Sequence, residues 1–361
     1  MIANSRVCLG FAVAMLGSSS FEPAVAYDKI GTAGPIRTFG GAHCAKNEAQ
    51  GECDPPEVDA TLPLKQRVQA RVERALGLIA LLRTKQAMQE LDAAVAEAPE
   101  ASSALLLRAR LKVPGQLTDA LRDVERLIAL DPSNPDALAT RAFILAGQDD
   151  LALRDATRAV SIKPDDVDAL WIRATILARL GKLDEAEQDL TRAIAAEPDN
   201  PTVLLFRAEL LLDRGQMSEA ERDAGAAISS RGGDIGARQI RAAARAAEGK
   251  YDDALSDLNV VLGPAGTKVT NGPVFSRQFV DLLVERALVL SRLGRPDDAK
   301  ADLSSIVTLG GQRAILQMQL YLRSHGFRDV ALDGKASSQL DDDLVACFLN
   351  DACGRGLTLK T

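Results

Sequence analysis

The strongest constraint on this chain is a recurrence. From Leu170 to Pro198 it reads Leu-Trp-Ile-Arg173-Ala174-Thr-Ile-Leu177, a turn at Gly181, Ala186-Glu-Gln-Asp189-Leu190-Thr-Arg-Ala193, and a closing proline. Equivalent units lie on both sides of this one. The small residue opening each second half is Ala87, Ala120, Ala152, Ala186, Ala220, Ala254 and Ala299, at spacings of 33, 32, 34, 34, 34 and 45. Pro99, Pro132, Pro164 and Pro198 follow the first four about twelve residues on. A helix must stop there, because proline lacks the amide N–H and clashes with the preceding turn. A lone helix pair cannot bury its apolar faces, whereas stacked pairs share a continuous core, so such a period specifies a helical array.

Composition agrees. Aromatic residues make up 4% of the 361, which favours helices packed closely on alanine over sheets. The length exceeds that of one ordinary domain, but an array escapes this limit because each unit contacts only its neighbours. The net charge is −7 with both signs interleaved, so the basic footprint of a nucleic-acid binder is missing.

A second regularity runs inside the first. The first halves share an arginine followed by alanine, at Arg74, Arg108, Arg141, Arg173, Arg207, Arg241 and Arg286. The second halves share an acid three residues after the small one, at Glu90, Asp123, Asp155, Asp189, Asp223, Asp257 and Asp302. This predicts a ladder of arginine–carboxylate pairs between helices, within a repeat or to the next. The bland alternative is two solvated faces of similar composition.

The period, the small residues and the closing prolines resemble the tetratricopeptide repeat family over roughly residues 66–310. The resemblance implies an all-α, right-handed superhelical solenoid of about seven helix-turn-helix repeats, placed at 63–310. Departures are Gly232 in place of a closing proline, a polar first helix in the sixth repeat (Arg238, Arg241, Arg245) and an insertion from Gly263 to Pro273. The family's concave wall, built of first helices, receives peptide or protein segments. The matching faces here carry Trp171, Thr175, Arg179, Phe206, Glu209 and Asp213. Trp171, beside Leu170 on an apolar helix, equally suits a packing role. The Lys/Asn set by which some family members clamp a C-terminal carboxylate is not recognisable.

Residues 1–26 read as a secretory signal peptide: Arg6, an apolar run from Val7 to Leu16, and the small-residue site Ala24-Val25-Ala26. Residues 27–62, with Gly34-Pro35, Gly40-Gly41 and Pro55-Pro56, read as a linker. Export to the periplasm, or secretion, follows as an expectation, with no membrane span after signal cleavage. Two close cysteine pairs, Cys44 with Cys53 and Cys347 with Cys353, then read as local disulfides. A zinc site would need His43 and His325 brought together from opposite ends, so no metal is expected.

Residues 311–361 leave the period. The stretch from Ala314 is an amphipathic helix ending at Gly326, Leu332-Asp333-Gly334-Lys335 a turn, and Ser338 to Leu349 a second helix. The Leu-Gln-x-x-Leu, Gly-Phe and Asp-Gly-Lys elements resemble the first two-thirds of a three-helix peptidoglycan-binding domain, although Ala336-Ser337-Ser338 departs from that pattern. Capping of the solenoid explains the segment as well. No catalytic motif of the common hydrolases, nucleotide binders or metalloproteases occurs, so neither an enzyme nor a cofactor is expected. The expected function is an exported scaffold that binds a protein or peptide partner in its groove. The alternative is a peptidoglycan-associated binder that recruits wall enzymes through its repeats.

Overall fold

Each unit of the recurrence folds as a pair of helices, and the start signals sit beside the closing prolines. Two residues after Pro132, Pro164 and Pro198 stand Asn134, Asp166 and Asn200. Asn134 Oδ1 accepts the amide of Ala137 at 2.9 Å and Asp166 Oδ1 that of Ala169 at 2.9 Å. Asn200 Oδ1 accepts from Thr202 and Val203 at 3.1 and 3.3 Å. Such a cap contributes about 1 kcal/mol to the helix it opens. Proline thus ends one helix and the residue two places later begins the next.

The computed structural model describes residues 45–46, 53–113, 115–145, 147–231, 235–265 and 277–350. Among these there are fifteen helices. The first helices of the seven repeats are α1 (Leu64–Ala80), α3 (Ser102–Lys112), α5 (Pro135–Ile144), α7 (Val167–Arg179), α9 (Pro201–Asp213), α11 (Ile235–Ala247) and α13 (Arg277–Arg292). The second helices are α2 (Thr84–Glu97), α4 (Leu117–Leu130), α6 (Asp149–Ile162), α8 (Leu183–Ala196), α10 (Met217–Arg231), α12 (Tyr251–Leu262) and α14 (Pro296–Ser324), and α15 (Ser338–Leu349) follows. The linker, expected as loop, also holds a two-residue antiparallel pair, β1 (Ala45–Lys46) with β2 (Cys53–Asp54). The expected signal peptide, Cys44, His43, Cys353 and most of the Gly263–Pro273 insertion lie outside the described residues.

The chain divides into two compact units, one to Leu210 and one from Leu211. In the first unit the helices of each pair pack on each other, and each first helix from α3 onward packs on the second helix before it. Successive first helices α1, α3, α5 and α7 also touch one another, whereas the second helices make no comparable contact. The first helices therefore form the tighter, inner wall of this unit. Alanines make the approach possible: Ala75, Ala109, Ala142 and Ala174 on first helices and Ala87, Ala120, Ala152 and Ala186 on second helices are fully buried. Leu91, Leu105, Leu127, Leu138, Leu170 and Leu190 fill the space between.

In the second unit the pairs α11–α12 and α13–α14 continue the pattern, and α15 packs on both α13 and α14. Leu283, Leu303, Met318, Leu322, Leu344 and Phe348 share one core there. α14 is two helical stretches joined at Gly311, whose backbone (φ 55°, ψ −156°) only glycine adopts readily. The seventh repeat and the C-terminal module are thus continuous in chain and in core. Cys347 is buried in that core and disulfide-bonded.

Candidate functional site

The paired arginines and acids meet. In the second repeat Arg108 Nε and Nη2 donate to the two carboxylate oxygens of Asp123 at 2.8 and 2.6 Å. Arg141 does the same with Asp155 at 2.7 and 2.9 Å, and Arg173 with Asp189 at 2.6 Å for both bonds. Arg241 Nε reaches Asp257 at 2.8 Å, and Arg286 holds Asp302 at 2.8 and 2.7 Å. In the first repeat Arg74 Nε stands 3.0 Å from Glu90. The fifth pair, Arg207 and Asp223, is divided between the two units.

All six pairs join the two helices of one repeat, so of the two expected geometries the ladder takes the intra-repeat one. The acids are the buried partners: Asp123, Asp189 and Asp257 are 3–5% exposed. Bonding to the acid raises the guanidinium pKa of Arg108, Arg141, Arg173 and Arg241. The last rung is the deepest. Arg286 and Asp302 are both fully buried, and Arg286 Nη1 also donates to Asn259 Oδ1 and the Gly263 carbonyl, leaving its fork well satisfied. Burial pushes the Asp302 carboxyl pKa up, with Arg286 opposing.

The first unit carries all but one of the residues singled out from sequence. Trp171 is 7% exposed, its ring centroid 5.9 Å from that of Phe143, and its indole Nε1 is buried with no hydrogen-bond partner. Thr175 Oγ1 donates back to the Trp171 carbonyl at 2.9 Å. Phe206 is half-buried against the same apolar cluster. Arg179 is engaged by Asp149 of the preceding repeat, and Glu209 is buried. Asp213 falls in the second unit. Trp171 and Phe206 therefore share one cluster, with Thr175 one turn after Trp171 on the same helix, while Arg179 is committed to an ion pair.

Residues not singled out from sequence complete this wall. The Arg110 guanidinium on α3 lies 3.6 Å from Asp136 on α5 and 3.7 Å from Asp168 on α7, so one cation spans three successive first helices. Asp168 sits one turn before Trp171. Burial, together with the neighbouring carboxylates Asp166, Asp136 and Glu197, pushes its pKa to about 6, with Arg110 opposing the rise. The signal was available in register. Arg110, Phe143, Thr175 and Glu209 each stand two residues after the ladder arginine, and Asp136 and Asp168 each five before it.

At the far end Gln319, 3% exposed, donates through Nε2 to Asp333 Oδ1 at 2.9 Å and to the Lys335 carbonyl at 3.2 Å. Its Oε1 accepts from Gly334 at 3.0 Å. One buried amide thus holds the whole Asp-Gly-Lys turn. His325 stacks on Tyr321 with centroids 4.2 Å apart and bonds the Tyr321 carbonyl through Nδ1 at 2.8 Å, a local structural role. Among the described residues no group of three His, Cys, Asp or Glu could hold a metal ion, and no helix is long and apolar enough to cross a membrane.

With the repeat geometry in place, the sequence profile of the tetratricopeptide repeat family matches residues 177–222. Over those residues the chain is similar to a tetratricopeptide repeat. That match runs from the end of α7 into α10 and includes the turn at Gly181 and the small residues Ala186 and Ala220. No curated protein matches the chain. Among solved structures it is similar to PilW, described as a widely conserved type IV pilus biogenesis factor: TM-score 0.50, 16% identity, 60% of this chain and 99% of that one. It is similar to pilF of Pseudomonas aeruginosa at TM-score 0.49 and 16% identity, over 62% of this chain and 99% of that one. A thermophilic tetratricopeptide repeat protein of Thermus thermophilus is 26% identical over 49% of this chain and 98% of its own, with TM-score 0.45. At 16% identity the likeness to PilW concerns the fold alone, a solenoid of helical repeats.

Proposed function

We propose that the chain is an exported, non-catalytic scaffold that binds a peptide or protein segment on the inner wall of its first helices. The observation that carries this reading is the continuity of that wall. Arg110, Asp136 and Asp168 link α3, α5 and α7, and the Phe143–Trp171 ring pair joins α5 to α7. A preorganised helical surface lowers the ordering cost of binding an extended or helical segment. Trp171 supports the wall from within, and the contact groups are Asp136, Asp168, Thr175 and Phe206.

The test is capture from a periplasmic extract with the full chain immobilised. Asp136→Lys/Asp168→Lys alters the inner wall; Arg192→Glu, on a second helix, is the control. A partner lost with the first variant and kept with the second supports the wall as the site, and a partner kept with both overturns it. Export is read separately, by fractionation and the mass of the mature N-terminus. Cleavage after Ala26 is the expected result.

A second reading, association with peptidoglycan through residues 311–361, draws on the Asp333–Lys335 turn that Gln319 holds in place. Co-sedimentation with insoluble peptidoglycan, lost on Lys335→Glu, would support it. Residues that stay in the supernatant would leave that module as the solenoid's cap alone.

A further inference from the structure

Among the described residues α1 has no preceding repeat to lie against, unlike the later first helices. The residue three places after the ladder arginine marks the difference. In the second to seventh repeats it is Leu111, Ile144, Ile176, Leu210, Ala244 and Val289, each 0–9% exposed. In the first repeat it is Gly77. The space is not vacant. A Cβ built on Gly77 would stand 2.8 Å from Pro55 Cγ and 3.1 Å from Pro55 Cβ, too close to be accommodated without movement. The glycine therefore makes room for the chain's own upstream segment.

Charged side chains fasten that segment along its length. Arg74 Nη1 donates to the Pro55 carbonyl at 3.0 Å. Arg67 Nη1 donates to the Leu62 carbonyl at 3.0 Å and to that of Ala60 at 3.4 Å, while Arg67 Nε is anchored on Glu97 of α2 at 2.5 Å. Asp59 Oδ1 accepts the Thr61 amide at 2.8 Å and closes the strap's own turn. Both arginines thus tie strap carbonyls to the first repeat.

We infer that residues 55–62 are the N-terminal cap of the array, standing where a preceding repeat would stand and keeping that face of α1 closed to a helix pair of a second copy. The physical need is general: the end of a repeat array exposes the face that its neighbours would bury, and such ends associate unless capped. Here a proline-led strap does this work, and Gly77 is the position that admits it.

The first test is a double-mutant cycle in the full chain, read by thermal melts. With Pro55 in place, Gly77→Ala lowers the melting temperature because the new methyl meets the ring. In a Pro55→Gly background the same change raises it, since alanine is the better helix residue and the obstacle has gone. An equal rise in both backgrounds would overturn the packing. The second test is sedimentation velocity over a range of concentrations. Gly77→Leu, which gives α1 the leucine found in this slot at Leu111 and Leu210, and Pro55→Gly, which adds no bulk, should both sediment faster with concentration than the unaltered chain. Circular dichroism confirms that each variant is folded. Sedimentation matching the unaltered chain in both would overturn the capping role.

Discussion

Asp168 shows how a single carboxyl reports its surroundings. Its pKa is pushed to about 6 by burial and by Asp166, Asp136 and Glu197, against an ordinary value of 3.8. Between these values the folded protein binds the proton more tightly than the unfolded chain. This carboxyl therefore supports the fold at low pH and loses that contribution as pH rises through about 6. Asp168→Asn should melt above the wild-type temperature at pH 7 and close to it at pH 4; the same difference at both values would contradict the assignment. Leu82 gives a second residue-scale prediction. It holds φ 59° and is 67% exposed, at the turn position where the fourth to seventh repeats carry Gly181, Gly215, Gly249 and Gly294, with φ of 71–79°. Leu82→Gly should stabilise by about 0.5–1 kcal/mol, because a side chain in the left-handed region crowds its own carbonyl. A lower midpoint in denaturant would show that Leu82 makes a contact outweighing this strain.

At the scale of helix pairs the ladder is the distinguishing feature. Removing one partner of a buried ion pair leaves the other charge uncompensated. Asp302→Ala, which strands the fully buried Arg286, should cost about 3–5 kcal/mol. Asp189→Ala should cost less, about 1–3 kcal/mol, because Arg173 keeps a 19% exposed side chain that water can reach. Equal midpoint shifts in urea for the two would deny the difference in burial. Replacing both members, Arg286→Met with Asp302→Leu, should come within about 1–2 kcal/mol of wild type. That outcome would mark the ladder as fixing how the two helices of a repeat meet rather than as a net source of stability. Ala186→Leu tests the alanine crossing and should cost about 1–3 kcal/mol through overpacking.

For the whole molecule, each repeat in an array contacts only its neighbours, so the chain should tolerate loss of a complete period. Deleting residues 153–186 joins Ala152 to Glu187 in register. The product should keep its helical circular dichroism and a cooperative melt at lower temperature. A molten product would show that repeats here depend on more than adjacent units. The array itself was legible because its cause is local: alanine at each crossing, proline at the first four ends and arginine with an acid at fixed offsets recur whatever the neighbours are. The two helices of the C-terminal module were legible from local pattern as well, an amphipathic stretch ended by Gly326 and a run from Ser338 to Leu349. Sequence alone thus determined the helical repeats and the partners in six rungs of the ladder. Only the tertiary structure decided that the rungs close within a repeat, that Trp171 is buried behind the wall, that Arg110 spans three first helices and that Pro55 fills the place beside Gly77. Those features depend on distances between segments far apart in the chain. Burial and charge at such points are set by the packing of several helices together, which no local pattern encodes.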